Sequence, residues 1–219
     1  MFKFHRFYVL LLAAGFVLGG LNGCGKDDGG GGYTFVTGGE TMKIEGTLFK
    51  GEFGGDATQA TQVCASFDND YYFWKNEDWA VTASVSNKKF SLTLPKPDAK
   101  YMETFSDELE VTEGYTITGD KNTKCARAKF CALIDGEYLP IALFNETETS
   151  GDCYVSFIYM DKNLSITGNF EDEGYKTTVN VQLKKGWNYM IESETIGRNG
   201  KWTYSVTANG NIPSVCKWQ

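Results

Sequence analysis

Histidine is almost missing from this chain: the one copy, His5, lies in the first few residues. Without imidazole beyond that point, Ser-His-Asp and Cys-His catalysis and the common His-containing zinc sites are excluded. Proline is scarce, with four copies, so a proline-rich linker protein is excluded too. Positive charge is in deficit, 21 basic against 28 acidic side chains, which argues against nucleic acid as a partner because phosphate contacts need clustered Lys and Arg. No phosphate-binding Gly-x-x-x-x-Gly-Lys-Ser/Thr loop and no dinucleotide fingerprint occurs, and nothing in the chain calls for a cofactor. The longest early apolar run, Phe7 to Leu18, covers 12 residues. A membrane-spanning helix needs about 20.

What is present begins with that run. Lys3 and Arg6 precede it and Gly19 and Gly20 follow it, the layout of an export signal over residues 1–23. Leu21-Asn22-Gly23-Cys24 then resembles the lipobox of bacterial lipoproteins, with Asn22 where a smaller residue is usual. The resemblance implies that Cys24 is acylated and becomes the first residue of the mature chain. An ordinary secretory signal with an incidental cysteine is the competing reading. Residues 24–32 continue as Gly25-Lys26-Asp27-Asp28 and four glycines, a flexible tether. The Lys-Asp-Asp run resembles the surface-export signal of Bacteroidetes lipoproteins. That likeness implies an outer-membrane protein whose partner is the membrane, through its lipid, and whose folded part faces the cell exterior. A solvated linker on a periplasm-facing lipoprotein is the alternative. Removing residues 1–23 takes away two bases and no acid, moving the charge from −7 to −9. An anionic domain is repelled by an anionic membrane surface and stays in water.

From Tyr33 onward the apolar residues recur with period two, as in strands with one buried face. Met42, Ile44 and Leu48 alternate with Lys43, Glu45 and Thr47. Trp79, Val81, Ala83 and Val85 lead through Asn87-Lys88-Lys89 into Phe90, Leu92 and Leu94, which reads as a hairpin. Asp135-Gly136 between Phe130–Ile134 and Tyr138–Phe144 is the strongest hairpin signal, and Pro140 puts its second strand at an edge or a bulge. Further strands are expected at Tyr154–Met160, at Leu164–Phe170, on both sides of Lys184-Lys185-Gly186, and at Trp202–Val206. The only helical candidate is Ala99 to Leu109.

The expected fold is all-β, an antiparallel β-sandwich of roughly ten to twelve strands. A first unit over 33–97, ended by Pro95-Lys96-Pro97, is Ig-like or transthyretin-like, and a second antiparallel unit covers 98–219. A single sandwich or a lipocalin-like barrel is the alternative. From Met42 on, the chain also resembles a family of uncharacterised Bacteroidetes-type surface lipoproteins. The likeness rests on Phe90-Ser91-Leu92-Thr93-Leu94-Pro95, on Leu183-Lys184-Lys185-Gly186-Trp187-Asn188 and on terminal Lys217-Trp218. It implies an exported β-rich domain and transfers no catalytic residues.

Two features bear on function. Tyr71-Tyr72-Phe73-Trp74 places four rings in a row between Asp68-Asn69-Asp70 and Asn76-Glu77-Asp78, and four consecutive rings cannot all face one core. Exposed rings beside carboxylates and amides suit sugars, so Tyr71, Tyr72 and Trp74 are the candidate ligand-binding residues. Rings capping the end of the sandwich are the rival reading. Asp68-Asn69-Asp70 starts like a calcium loop, but Tyr72 stands at the next ligand position, and no metal is expected. The second feature is the set Cys64, Cys125, Cys131, Cys153 and Cys216, an odd number without a Cys-x-x-Cys. A disulfide framework and small buried apolar residues both remain open for it. The function expected is a non-catalytic binding or accessory module for a glycan or a protein partner. A His-free glycan hydrolase with paired carboxylates, or a small-molecule carrier, is the alternative.

Overall fold

The computed structural model describes residues 33, 35–51, 56–70, 72–76, 78–105, 115–145, 152–172, 175–197 and 200–219. Cys24, the export segment, the tether and Tyr71 lie outside them. The described chain is all-β. Its strands are β1 (Met42–Thr47), β2 (Gln62–Ser66), β3 (Val81–Ser84), β4 (Lys89–Leu94), β5 (Glu103–Thr104), β6 (Tyr115–Gly119) and β7 (Lys124–Ile134). They continue with β8 (Glu137–Ile141), β9 (Leu143–Asn145), β10 (Asp152–Met160), β11 (Leu164–Asp172), β12 (Tyr175–Leu183), β13 (Gly186–Ile196), β14 (Trp202–Ala208) and β15 (Lys217–Trp218). Strands β1 and β4 form a small two-stranded layer. The others form one large sheet in the order β3-β2-β7-β10-β13-β14-β12-β11-β6, with β5, β8, β9 and β15 attached beside that path.

Side-chain parity builds the layers. In β4 the burial alternates strictly, sending Phe90, Leu92 and Leu94 inward, and β1 adds Met42 and Ile44 from the opposing strand. These pack onto Val63 and Ala65 of β2, Phe157 and Tyr159 of β10, and Trp187 and Tyr189 of β13 in one core. The opposite face of β10 and β13 supplies Ile158, Met160 and Met190 to a second core with Ile166, Val179, Val181 and Val206. Strands covered on both faces are buried nearly continuously, which is why period two fades at Phe157–Met160 and Gly186–Ile191.

The division expected near residue 97 does not coincide with a break in packing. Strand β2 hydrogen-bonds along β7 from Gln62↔Leu133 to Ser66↔Lys129, and the first core draws on both sides of that point. The four strands of the first part divide between the two layers instead of closing a unit of their own. Nor is the large sheet a barrel: β6 and β7, neighbours in the chain, are not paired with each other.

The local signals act as their chemistry requires, with instructive departures. Asn87 and Lys88 both take positive φ, and Ser86 pairs with Lys89, so the two-residue turn forms. Beyond it the strands part, β3 to the large sheet and β4 to β1. Asp135 and Gly136, at φ 51° and 86°, close the β7–β8 hairpin. Strand β8 pairs only with β7, an edge where Pro140 leaves no ladder donor missing. The short segments on either side of Lys184-Lys185 do not pair: β14 lies between β12 and β13, antiparallel to β13 and parallel to β12. That parallel pair is the departure from an antiparallel sheet. Among the described residues helix occurs as single turns at Ala57–Gln59, Ala99–Tyr101 and α1 (Phe73–Asn76), and at Phe105. Of the helix expected over Ala99–Leu109, the described part is one turn, then β5, then the helical Phe105; 106–109 lie outside the described residues.

Candidate functional site

The aromatic run sits on the outer face of the β2–β7–β8 part of the sheet. Successive aspartates shape its approach: Asp70 donates its backbone N–H to the Asp68 carboxylate, and Tyr72 donates its own to the Asp70 carboxylate. Lys129 on β7 donates to the Asp70 carbonyl and lies 5.6 Å over the Phe73 ring, fixing the segment to the sheet. Phe73 then turns inward onto Cys64 and Cys131, with Trp74, Trp79 and Tyr138 packed around it.

Because residues 73–76 make a helical turn, the two-face alternation of a strand does not apply here. Even so, Tyr72 and Trp74 come together, edge to face, with centroids 5.5 Å apart. Tyr72 is 50% exposed, Trp74 is half-buried, and Lys75 lies 4.5 Å over the Tyr72 ring. Beside them, Trp79 and Tyr138 form a tilted pair at 4.8 Å. Phe73 is packing, and Tyr72 with Trp74 forms a shelf whose outer ring is open to water. Trp79 and Tyr138, far apart in sequence, extend the shelf, and only the β7–β8 hairpin brings Tyr138 to it.

A second polar group was not anticipated from the sequence. On the face that carries the second core, one end of the sheet is lined by Tyr154, Glu192, Glu194, Tyr175 and Tyr204. Tyr204 donates to Glu192 at 2.6 Å and Tyr175 to Glu194 at 3.4 Å. Burial pushes the Glu192 carboxyl up, against the opposing pull of the Tyr204 hydroxyl and the Arg127 charge. Glu194 is also raised, by burial and then by the nearby Asp152 charge. Burial pushes Tyr154 up to about 12. The sequence signal was there in the parity: Glu192 and Glu194 fall in step with buried Met190.

The shift has a pH consequence. A carboxyl raised on folding favours the folded state when protonated, so its contribution is present below the ordinary carboxylate value and is lost as pH rises through the raised one. Glu192→Gln keeps an acceptor for Tyr204 and removes the titration. Urea unfolding should therefore show the variant gaining on the wild type between about pH 4 and pH 8. A stability gap that stays constant over that range would refute the assignment.

Among the described residues no group of three or more His, Cys, Asp or Glu side chains is placed to hold a metal ion, and no helix is long and apolar enough to cross a membrane. Compared with protein-family models, curated proteins and solved structures, the chain matches none.

Proposed function

We propose that this protein is a lipid-anchored, surface-exposed outer-membrane lipoprotein whose β domain binds glycans without transforming them, through the shelf of Tyr72 and Trp74. The observation that carries this reading is an open ring braced by a packed one. Tyr72 is half exposed and meets Trp74 edge to face at 5.5 Å, and Trp74 in turn packs on the buried cluster of Phe73, Cys64 and Cys131. A ring already packed by its neighbours loses little entropy when a sugar stacks on it. Acyl chains on Cys24 would anchor the domain at about 0.8 kcal/mol per buried CH₂, with the glycine tether holding it off the surface.

The test uses intact cells displaying the chain, probed with a fluorescent glycan chosen from an array. Wild-type cells are expected to bind it, and cells with Cys24→Ala to lose it because the chain is no longer anchored. Tyr72→Ala should stay on the surface and bind about 5- to 150-fold more weakly, the equivalent of roughly 1–3 kcal/mol, while its melting temperature barely moves. Trp74→Ala, half-buried, should lose both binding and stability. Equal binding by Tyr72→Ala would sink the shelf, and hydrolysis of the captured glycan would sink the non-catalytic reading.

A further inference from the structure

We propose that Cys153 with Cys216, and Cys64 with Cys131, are two dithiol pairs that oxidise to intrachain disulfides, leaving Cys125 as a buried thiol. All five side chains are buried and all are thiols in the structure. Their placement is not that of five independent apolar residues. The Sγ of Cys216 donates to the Sγ of Cys153 at 2.8 Å, between residues 63 apart in the chain. Closing that contact to a bond of about 2.05 Å requires a shortening of less than about 1 Å. Cys64 and Cys131 stand directly opposite each other in the β2–β7 ladder and share the buried cluster under Phe73. Opposed residues in an antiparallel ladder have Cα atoms about 4.5–5.5 Å apart, within the range a disulfide spans. Cys125 shares β7 with Cys131 but packs in the second core, among Ile158, Met160 and Leu183, away from both pairs.

The thiol shifts also sort the roles within each pair. The bond from Cys216 draws the Cys153 thiol down, although burial opposes it, and pushes Cys216 up. In the other pair Cys131 likewise draws Cys64 down and is itself pushed up by it. Thiolate character is what disulfide exchange needs.

The oxidant is a low-molecular-weight disulfide, RSSR. Cys216 lies just before β15 and next to Val215, which is 51% exposed, so a small opening of this terminal segment admits the reagent. With the segment open, the Cys153 thiolate displaces one RS⁻ and forms a mixed disulfide. Cys216 then gives up its proton and attacks the Cys153 sulfur, making the Cys153–Cys216 bond and releasing the second RS⁻. Each protein sulfur loses one electron, the two R sulfurs gain them, and the two thiol protons leave with the released thiolates. The first pair would staple the C-terminal segment, and with it β15, to β10. The second would lock β2 to β7 directly beneath Phe73 and the aromatic shelf.

The experiment takes the full chain, reduces it, removes the reductant, and exposes it to oxidised glutathione. Residual thiols are blocked with iodoacetamide before a non-reducing tryptic digest and mass spectrometry. Linked peptides Cys153–Cys216 and Cys64–Cys131, with Cys125 alkylated, are expected. The oxidised chain should also melt about 5–15 °C above the reduced one, and Cys153→Ala/Cys216→Ala should remove its pair's share of that difference. Separate alkylation of Cys153 and Cys216, or of Cys64 and Cys131, overturns the assignment for that pair. A link to Cys125, or a melting temperature indifferent to reductant, overturns the framework as a whole, and the wild-type comparison stands even if the double variant does not fold.

Discussion

Trp218→Ala, a change at the penultimate residue, is expected to cost about 3–5 kcal/mol, the range for emptying a large buried aromatic site. The melting temperature should fall by roughly 6–20 °C in a chain of this size. The side chain sits in the middle of the first core. Trp218 is fully buried, and its ring meets Phe90 at 5.3 Å, Phe130 at 5.0 Å and Phe157 at 6.0 Å. Strand β15 holds it there by pairing with Leu143 of β9, and Phe49 donates its N–H to the Trp218 carbonyl. Gly46 completes the fit: a Cβ at that position would stand 2.5 Å from the indole and 2.7 Å from the Phe90 ring. Gly46→Ala should therefore destabilise the wild type and cost less in a Trp218→Ala background, where the indole overlap is gone and Phe90 has room to shift, a non-additivity that thermal melts of the four proteins would read. Trp218→Phe has a milder expected effect, because the indole Nε1–H donates to no protein group among the described residues, and its removal offsets part of the lost packing. A melt of Trp218→Ala within about 2 °C of wild type would refute the central role of this side chain.

Gly186→Ala is expected to cost about 2–4 kcal/mol, the sum of two penalties. The backbone there has φ +96°, in the region that favours glycine, and a Cβ would lie 2.5 Å from the Gly39 carbonyl oxygen. That neighbour cannot yield easily, since Trp187 donates to Gly39 and Gly38 donates to Trp187 on either side of it. Gly136→Ala separates the two penalties. Its φ is +86° with nothing within 4 Å of a Cβ, so it should cost only about 1 kcal/mol. Equal losses for the two variants in denaturant unfolding would mean that the contact with Gly39 contributes nothing.

The same corner shows how far the sequence could be read. Lys184-Lys185-Gly186 was legible as a turn, and Trp187, Tyr189 and Ile191 as a strand face. The two strands that flank the turn are not paired with each other: β14 is inserted between them, and the gap is bridged by side chains. Asn188, fully buried, accepts from the Lys184 N–H and donates to the Lys184 and Gly186 carbonyls. Asn209 donates to Asn188 and to the Gln182 carbonyl and accepts from the Tyr189 N–H. The two amides thus make bonds that a direct ladder would have made. Asn188 closes its own turn locally, but nothing local distinguishes Asn209 from an asparagine of an ordinary turn, because its partners Asn188, Tyr189 and Gln182 lie 20 to 27 residues away.

The candidate site divides along the same line. Adjacent rings at Tyr72, Phe73 and Trp74 announced that some must be exposed, but one helical turn is too short for a 3.6-residue period to register. The inward direction of Phe73 follows from the position of β7. Tyr138 joins the shelf through the Asp135-Gly136 turn, and Glu192 and Glu194 acquire their raised carboxyls only when neighbouring strands remove water from them.

By itself, the sequence determined the all-β character, most strand positions, the Asn87-Lys88 and Asp135-Gly136 turns and the edge role around Pro140. Each of these depends on side-chain parity or backbone φ preferences within a few residues. The tertiary structure alone decided the strand order, the parallel β12–β14 pair, the shared core across residue 97, the burial of Trp218 and the pairing of cysteines. All of these are contacts between segments distant in the chain, and alternation tells a strand which face to bury without telling it which strand to lie beside.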